Sequence, residues 1–178
     1  MQHYHVFETR LGFCGIAWSD DGITRFRLPY ATREEAEKQF RHKGEPADPP
    51  PHIADVIDQA TRYFAGEQID FSPIGLDLAA IEPPRRAIYD ALRKIEFGKT
   101  VTYGELAKRA GANAPQAAQE VGIAMARNPV PLIIPCHRVL AAGGKLGGFS
   151  AREASRRNST CWRSRACSSA TSRGCSRV

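Results

Sequence analysis

Apolar and polar positions along the chain of 178 residues predict two structured stretches and one stretch without a pattern. Residues 11–19, LGFCGIAWS, and 23–29, ITRFRLP, read as two extended segments. Asp20-Asp21-Gly22 between them is a hairpin signal. Thr32-Arg33-Glu34-Glu35 has the spacing of a capping box and predicts a helix over 33–42. KGEPADPPP, at 43–51, predicts a turn-rich connection. A second helix follows, with Ile53, Val56, Ile57, Ala60 and Phe64 on one face and Gly66 as its stop. These elements make a small α/β unit with no evident chemistry of its own.

A second unit opens near Pro83-Pro84. RRAIYDALRKI places Ala87, Ile88, Ala91, Leu92 and Ile95 on one helical face, and FGKT is a turn. Thr102 and Glu105 form another capping box, predicting a short helix that ends at Gly111. Pro115, preceded by Asn113 or Ala114, opens a helix over 115–126. Two helices joined by a short Gly-containing turn are a helix-turn-helix signal. VLAAGGKLGGF, further on, reads as a hairpin or wing, so the unit has a winged-helix pattern.

The net charge of +6 invites a nucleic-acid reading. Its distribution weakens that reading. Residues 151–178 hold seven of the 25 basic residues and one of the 19 acidic ones, leaving 18 of each in 1–150. The excess sits in the tail, so global charge says little about partners. No apolar run approaches the roughly 18 residues of a membrane span, and MQHYHVFETR lacks the apolar core of a signal peptide. A cytoplasmic protein is the expectation. Cys161, Cys167 and Cys175 lie in the tail, and Cys14 and Cys136 are expected to be free thiols. His3, His5 and His52 lack metal-ligand spacing, so no metal site is expected.

Candidate chemistry centres on LIIPCHRV, residues 132–139. A thiol attacks as thiolate, and a neighbouring His can take its proton. Adjacent side chains on a strand point to opposite faces, but Pro135 imposes a bend. Prolines at 129, 131 and 135 stiffen the segment, which favours preorganisation. On these residues alone, an inert buried cysteine at a strand end accounts for Cys136 as well as a nucleophile does.

TVTYGELAKRAG, NPVPLIIPCHRV and GGKLGGFS together strongly resemble the DNA-binding and active-site region of the alkylguanine-DNA alkyltransferases, also called methylated-DNA–protein-cysteine methyltransferases. The Pro-Cys-His-Arg-Val core is highly specific, and Asn128-Pro129 and Gly-Gly-Phe-Ser flank it as in that family. The resemblance is strong over 84–150 and weaker but compatible over 1–80. It implies a small ribonuclease-H-like α/β domain at 1–80 and a winged-helix-like DNA-binding and active-site domain at 81–150. An aberrant basic tail, disordered or frame-shifted, fills 151–178.

The resemblance also implies a function. The family binds double-stranded DNA containing alkylated guanine through the minor groove and flips the damaged base out of the stack. Its cysteine attacks the alkyl carbon of 6-O-alkylguanine and keeps the group, so each molecule acts once. No metal or organic cofactor and no membrane are involved, and a monomer is expected. By position, Cys136 matches the nucleophile and His137 its water-mediated base. Tyr103 matches the donor to the guanine ring nitrogen, and Asn128 the brace of the active-site backbone. Met125 and Pro131 line the pocket, while the Val139 carbonyl and the Ser150 N–H read the base edge. Ala117, Ala118, Gln119, Gly122 and Arg138 fall to the DNA-contacting set. The small residues among them have ordinary helix packing as their alternative, which is favoured when they are considered alone.

Two departures stand out. Gln119 replaces the arginine that fills the gap left by the flipped base, which predicts slower or weaker extrusion. The tail has seven serines and no Leu, Ile, Phe or Met, where the family continues with a Gly-Gly turn and an amphipathic helix whose glutamate orients the histidine. Suitable codons for Glu153 to Gly174 encode, in a neighbouring frame, GGVETKLDMLEIEGVLVSNQPR, which restores the turn, the apolar spacing and the acid. Three functions are therefore in view: a suicidal alkyltransferase, a non-catalytic binder of alkylated DNA that marks lesions, and a cysteine hydrolase. No motif beyond the Cys-His pair supports the hydrolase.

Overall fold

The computed structural model describes residues 1–41, 43–96, 98–112, 114 and 116–141. Ser150, the wing beyond Ala141, the tail, and the Asn113 and Pro115 helix-start readings lie outside the described residues. Three antiparallel strands, β1 (His3–Thr9), β2 (Gly12–Ser19) and β3 (Gly22–Tyr30), form a sheet of order β3-β2-β1-β4. β4 (Glu45–Pro46) adds parallel to β1 from within the stretch expected to be turn. The hairpin closes Ser19 on Gly22, as Asp-Asp-Gly predicts. β1 was not foreseen.

Strand alternation sorts the side chains onto two faces. Phe7, Cys14, Ile16, Trp18, Ile23 and Phe26 share the core face with α2 (Pro51–Ala65), which buries Ile53, Val56, Ala60 and Phe64 as its periodicity predicts. The other face carries α1 (Arg33–Lys38), capped by Thr32, whose hydroxyl accepts from the Glu35 N–H. This helix stops short of residue 42, and tight turns follow it. Phe40 lies across Gly15 and stacks on Tyr4 at 5.1 Å between centroids. A Cβ on Gly15 would overlap the Phe40 ring. Gly15→Ala should therefore lower stability by about 1–3 kcal/mol, read as a lower urea midpoint.

The second unit begins with α3 (Pro83–Arg93), which uses its two prolines in the first turn, where missing N–H groups cost nothing. β5 (Val101–Thr102) leads into α4 (Tyr103–Arg109). The capping box is complete: Thr102 N–H donates to Glu105 Oε2 at 2.7 Å, and Glu105 N–H donates to Thr102 Oγ1 at 3.2 Å. α5 (Ala117–Ala126) starts two residues later than expected, with Gln116 as a cap that makes no side-chain bond. Helices α3, α4 and α5 pack on one another, in keeping with the winged-helix expectation.

A single apolar cluster runs from Phe7 to Val139 through both units. The outer edge of β3 is also occupied. Ile23 N–H donates to Gly75 O at 3.2 Å, Asp77 N–H donates to Ile23 O at 3.0 Å, and Phe26 N–H donates to Pro129 O at 3.0 Å. The last of these ties the amino-terminal sheet to the loop ahead of Cys136.

Candidate active site

The loop after α5 is held from within by Asn128. Its Nδ2 donates to Ile134 O at 2.9 Å, and its Oδ1 accepts from Val130 N–H at 3.0 Å. Ile134 N–H closes back on Val130 O at 2.9 Å. Between them buried Leu132 takes φ +82°, a left-handed conformation that costs a non-glycine residue on the order of 1–3 kcal/mol. The Asn128 bonds and the Ile134–Val130 closure flank that residue on both sides. Asn128→Ala should cost about 2–3 kcal/mol and loosen the loop, measurable as a lower denaturation midpoint.

Pro135 then turns the chain. Its φ −81° and ψ 65° define an inverse γ-turn, and Cys136 N–H donates to Ile134 O at 2.8 Å. Cys136–Arg138 form a single 3₁₀ turn, sealed by Arg138 N–H on Pro135 O at 2.9 Å. The expected bend is thus a corner followed by a tight helical turn, so Cys136 and His137 are not alternating strand residues. β6 (Val139–Leu140) follows and pairs in parallel with β5, Val101 opposite Val139 and Thr102 opposite Leu140. That ladder ties the start of α4, where Tyr103 is the first residue, to the strand that leaves the cysteine turn.

Electrostatics agree with this placement. The Tyr103 phenol is pushed up by burial and then by the Cys136 charge. Tyr89, on α3, is fully buried, donates to Ala124 O at 2.9 Å and is pushed up to about 12, chiefly by burial, with Cys136 contributing. Sequence reasoning passed over Tyr89. Its only signal was a tyrosine inside the apolar stretch of α3. Burial holds His137 down at about 3, and the Arg138 charge adds to the effect, so its imidazole is neutral near neutral pH.

The two described free cysteines differ in setting. Cys14 lies in the middle of β2, fully buried, and burial raises its thiol to about 12. Cys136 stands at a turn and is 9% exposed. The other expected site residues separate by position. Met125 and Val139 are buried, and Pro131 is half-buried in the loop. On α5, Ala117 is buried, Ala118 and Gln119 are exposed, and Gly122 is half-buried. A Cβ on Gly122 would meet nothing within 4 Å, so its small size is not required by packing within the described chain. The half-buried Arg138 guanidinium donates to Ile95 O beyond the end of α3 and feels Tyr63 and Asp70 of the amino-terminal unit.

Comparison with known proteins gives two family matches. The ribonuclease-like domain of 6-O-methylguanine DNA methyltransferase matches residues 2–78, and the DNA binding domain of 6-O-methylguanine DNA methyltransferase matches residues 83–163. A methylated-DNA–protein-cysteine methyltransferase of Mycolicibacterium paratuberculosis is 36% identical over 149 residues, covering 84% of each chain. The constitutive one of Bacillus subtilis is 33% identical over 154 residues, covering 84% of this chain and 87% of its own. The crystal structure of Mycobacterium tuberculosis O6-methylguanine methyltransferase is similar with a TM-score of 0.68 at 30% identity, over 99% of this chain and 97% of that one. A structure of the Mycobacterium tuberculosis protein in complex with DNA gives 0.65 at 33% identity, over 83% and 84%.

Proposed function

This chain belongs to the 6-O-methylguanine DNA methyltransferase family, and we propose that it repairs DNA by moving the alkyl group of a 6-O-alkylguanine irreversibly onto Cys136. The observation that carries this reading is that the Cys136 charge reaches the Tyr103 phenol, from elements that the β5–β6 ladder ties together. In the proposed reaction neutral His137, through a water, takes the Cys136 proton. The sulfur attacks the alkyl carbon, the carbon–O6 bond breaks, and its electron pair leaves with the guanine. Tyr103 donates a hydrogen bond to the ring nitrogen where that charge develops. One S–C bond replaces one C–O bond, so no cofactor enters. Asn128 holds the loop in register, while Met125 and Pro131 shape the pocket. The Val139 carbonyl and Ser150 N–H read the base.

On this reading α5 enters the minor groove of double-stranded DNA, with Ala118, Gln119 and Gly122 toward it. The open space over Gly122 supports a partner's close approach; buried Ala117 serves packing. The protein acts as a cytoplasmic monomer. Gln119→Arg should accelerate transfer from duplex by about tenfold, since a longer cation fills the vacated stack and adds a charge. Single-turnover rates on a lesion duplex measure it.

The deciding experiment is intact-mass analysis after incubation with a duplex carrying one 6-O-methylguanine. One methyl on the Cys136 peptide, saturating at one per protein, is the expected result. Retained binding without added mass would replace this reading with a lesion-marking binder, which Gln119 and the unusual tail favour.

A further inference from the structure

The geometry points to a second DNA-backbone contact outside the helix-turn-helix: Arg25, Arg27 and Lys43 form a cationic patch on the amino-terminal sheet that takes phosphodiester groups of the duplex under repair. The inference rests on the DNA-repair reading. Arg25 and Arg27 are cross-strand partners of Ala17 and Gly15, so both project on the α1 face. Lys43 reaches the same place from the turn after Phe40, its N–H bonded to Phe40 O at 2.9 Å. The three charges lie close enough to oppose one another: Arg25 lowers both Lys43 and Arg27, and Arg27 lowers Lys43.

Tyr30 offsets part of this repulsion at Arg27. Among the described residues none of the three makes an ion pair. Of the three α1 acids, Glu34 pairs with Lys38 at 3.0 Å and Glu37 with Arg33 at 3.9 Å, and Glu35 is in no ion pair with the three cations among the described residues. Charges on an edge strand often serve to block sheet-to-sheet pairing. That explanation is weak here, because residues 75–77 and Pro129 already cover the β3 edge. Two half-buried arginines beside an exposed lysine are instead suited to an anion, which would find its Coulomb attraction to the arginines less screened than at a fully exposed pair.

Position selects the anion. Phe26, between the two arginines, gives its N–H to Pro129 O, one residue beyond Asn128. The patch therefore lies near the loop that carries the nucleophile. A repeated row of phosphates meets three cations where a single small anion would meet one or two.

The test is the neutral triple variant Arg25→Gln, Arg27→Gln, Lys43→Gln in the full chain. Affinity for a lesion duplex of about two helical turns (~20 base pairs) is measured against salt. The slope of log affinity on log salt should become shallower by about 2–3, with at least about tenfold weaker binding at low salt. Reaction with the free base 6-O-benzylguanine, which has no phosphate, should be unchanged, and the melting midpoint should not fall. An unchanged salt slope overturns the inference. So does loss of reaction with the free base, or a lowered midpoint, since each makes the cluster a structural one. If the parent chain acquires no adduct from either substrate, the repair reading itself fails, which is a separate outcome.

Discussion

Cys136→Ser should abolish alkyl transfer while leaving binding to the lesion duplex intact. Serine keeps the size and the turn but not the chemistry. Its hydroxyl is far less acidic than a thiol and needs stronger activation than a neutral imidazole held down at about 3 supplies. The remaining cysteines are poor substitutes. Cys14 is buried, with its thiol raised to about 12. Cys161, Cys167 and Cys175 stand among the arginines of the last 28 residues, and no histidine lies within that stretch to act as their base. Peptide mapping settles the matter: an adduct that persists in the variant, on any of these four, would sink the assignment of Cys136.

A comparably large effect is expected in the other direction from the carboxyl end. Replacing Glu153 to Gly174 by GGVETKLDMLEIEGVLVSNQPR should raise the single-turnover rate by about a hundredfold, within the usual range for a well-placed general base. The reasoning starts at His137. Burial and then the Arg138 charge both disfavour its protonated form, so it accepts a proton reluctantly. A carboxylate behind the ring reverses that direction by stabilising the imidazolium as it forms. The present stretch offers Arg163 and no acid at the matching place. The restored segment also brings Leu, Ile, Val and Met that can join the apolar cluster, so its melting midpoint should rise. Equal rates and equal midpoints for the two chains would remove the frame-shift explanation, as would a resequenced gene with no such frame across the codons for 150–152.

What was legible in the sequence was local. The Thr102–Glu105 capping box depends on residues three apart, and it appears with both of its bonds. The apolar face of α2 repeats with the helical period, and of its five residues Ile53, Val56, Ala60 and Phe64 are buried while Ile57 is half-buried. The active-site segment was legible through its resemblance, and Pro135 made the bend predictable in kind. What escaped was set by distant pairing. β1 is a strand because β2 lies against it, and HYHVFET, with a histidine at His3 and at His5, carries a weak apolar alternation. β4 is two residues long and includes a proline, so only its parallel neighbour defines it. The bond from Phe26 to Pro129 joins backbone groups, which leave no mark in side-chain patterns. Arg25, Arg27 and Lys43 become a cluster only once α1 has folded back over the sheet.

The β5–β6 ladder has a consequence for tolerance to insertion and deletion. Two residue pairs fix the start of α4, and with it Tyr103, against the strand that leaves the cysteine turn. One residue of slippage moves a strand by about 3.3 Å, several times the roughly 1 Å misplacement that already costs a catalytic group much of its effect. The chain between Thr102 and Leu140 is therefore constrained in its length at both anchors and again in the loop that Asn128 holds. Residues can be gained or lost in the turns around Gly111, far from either anchor, whereas the count from Cys136 to Val139 behaves as a fixed gauge.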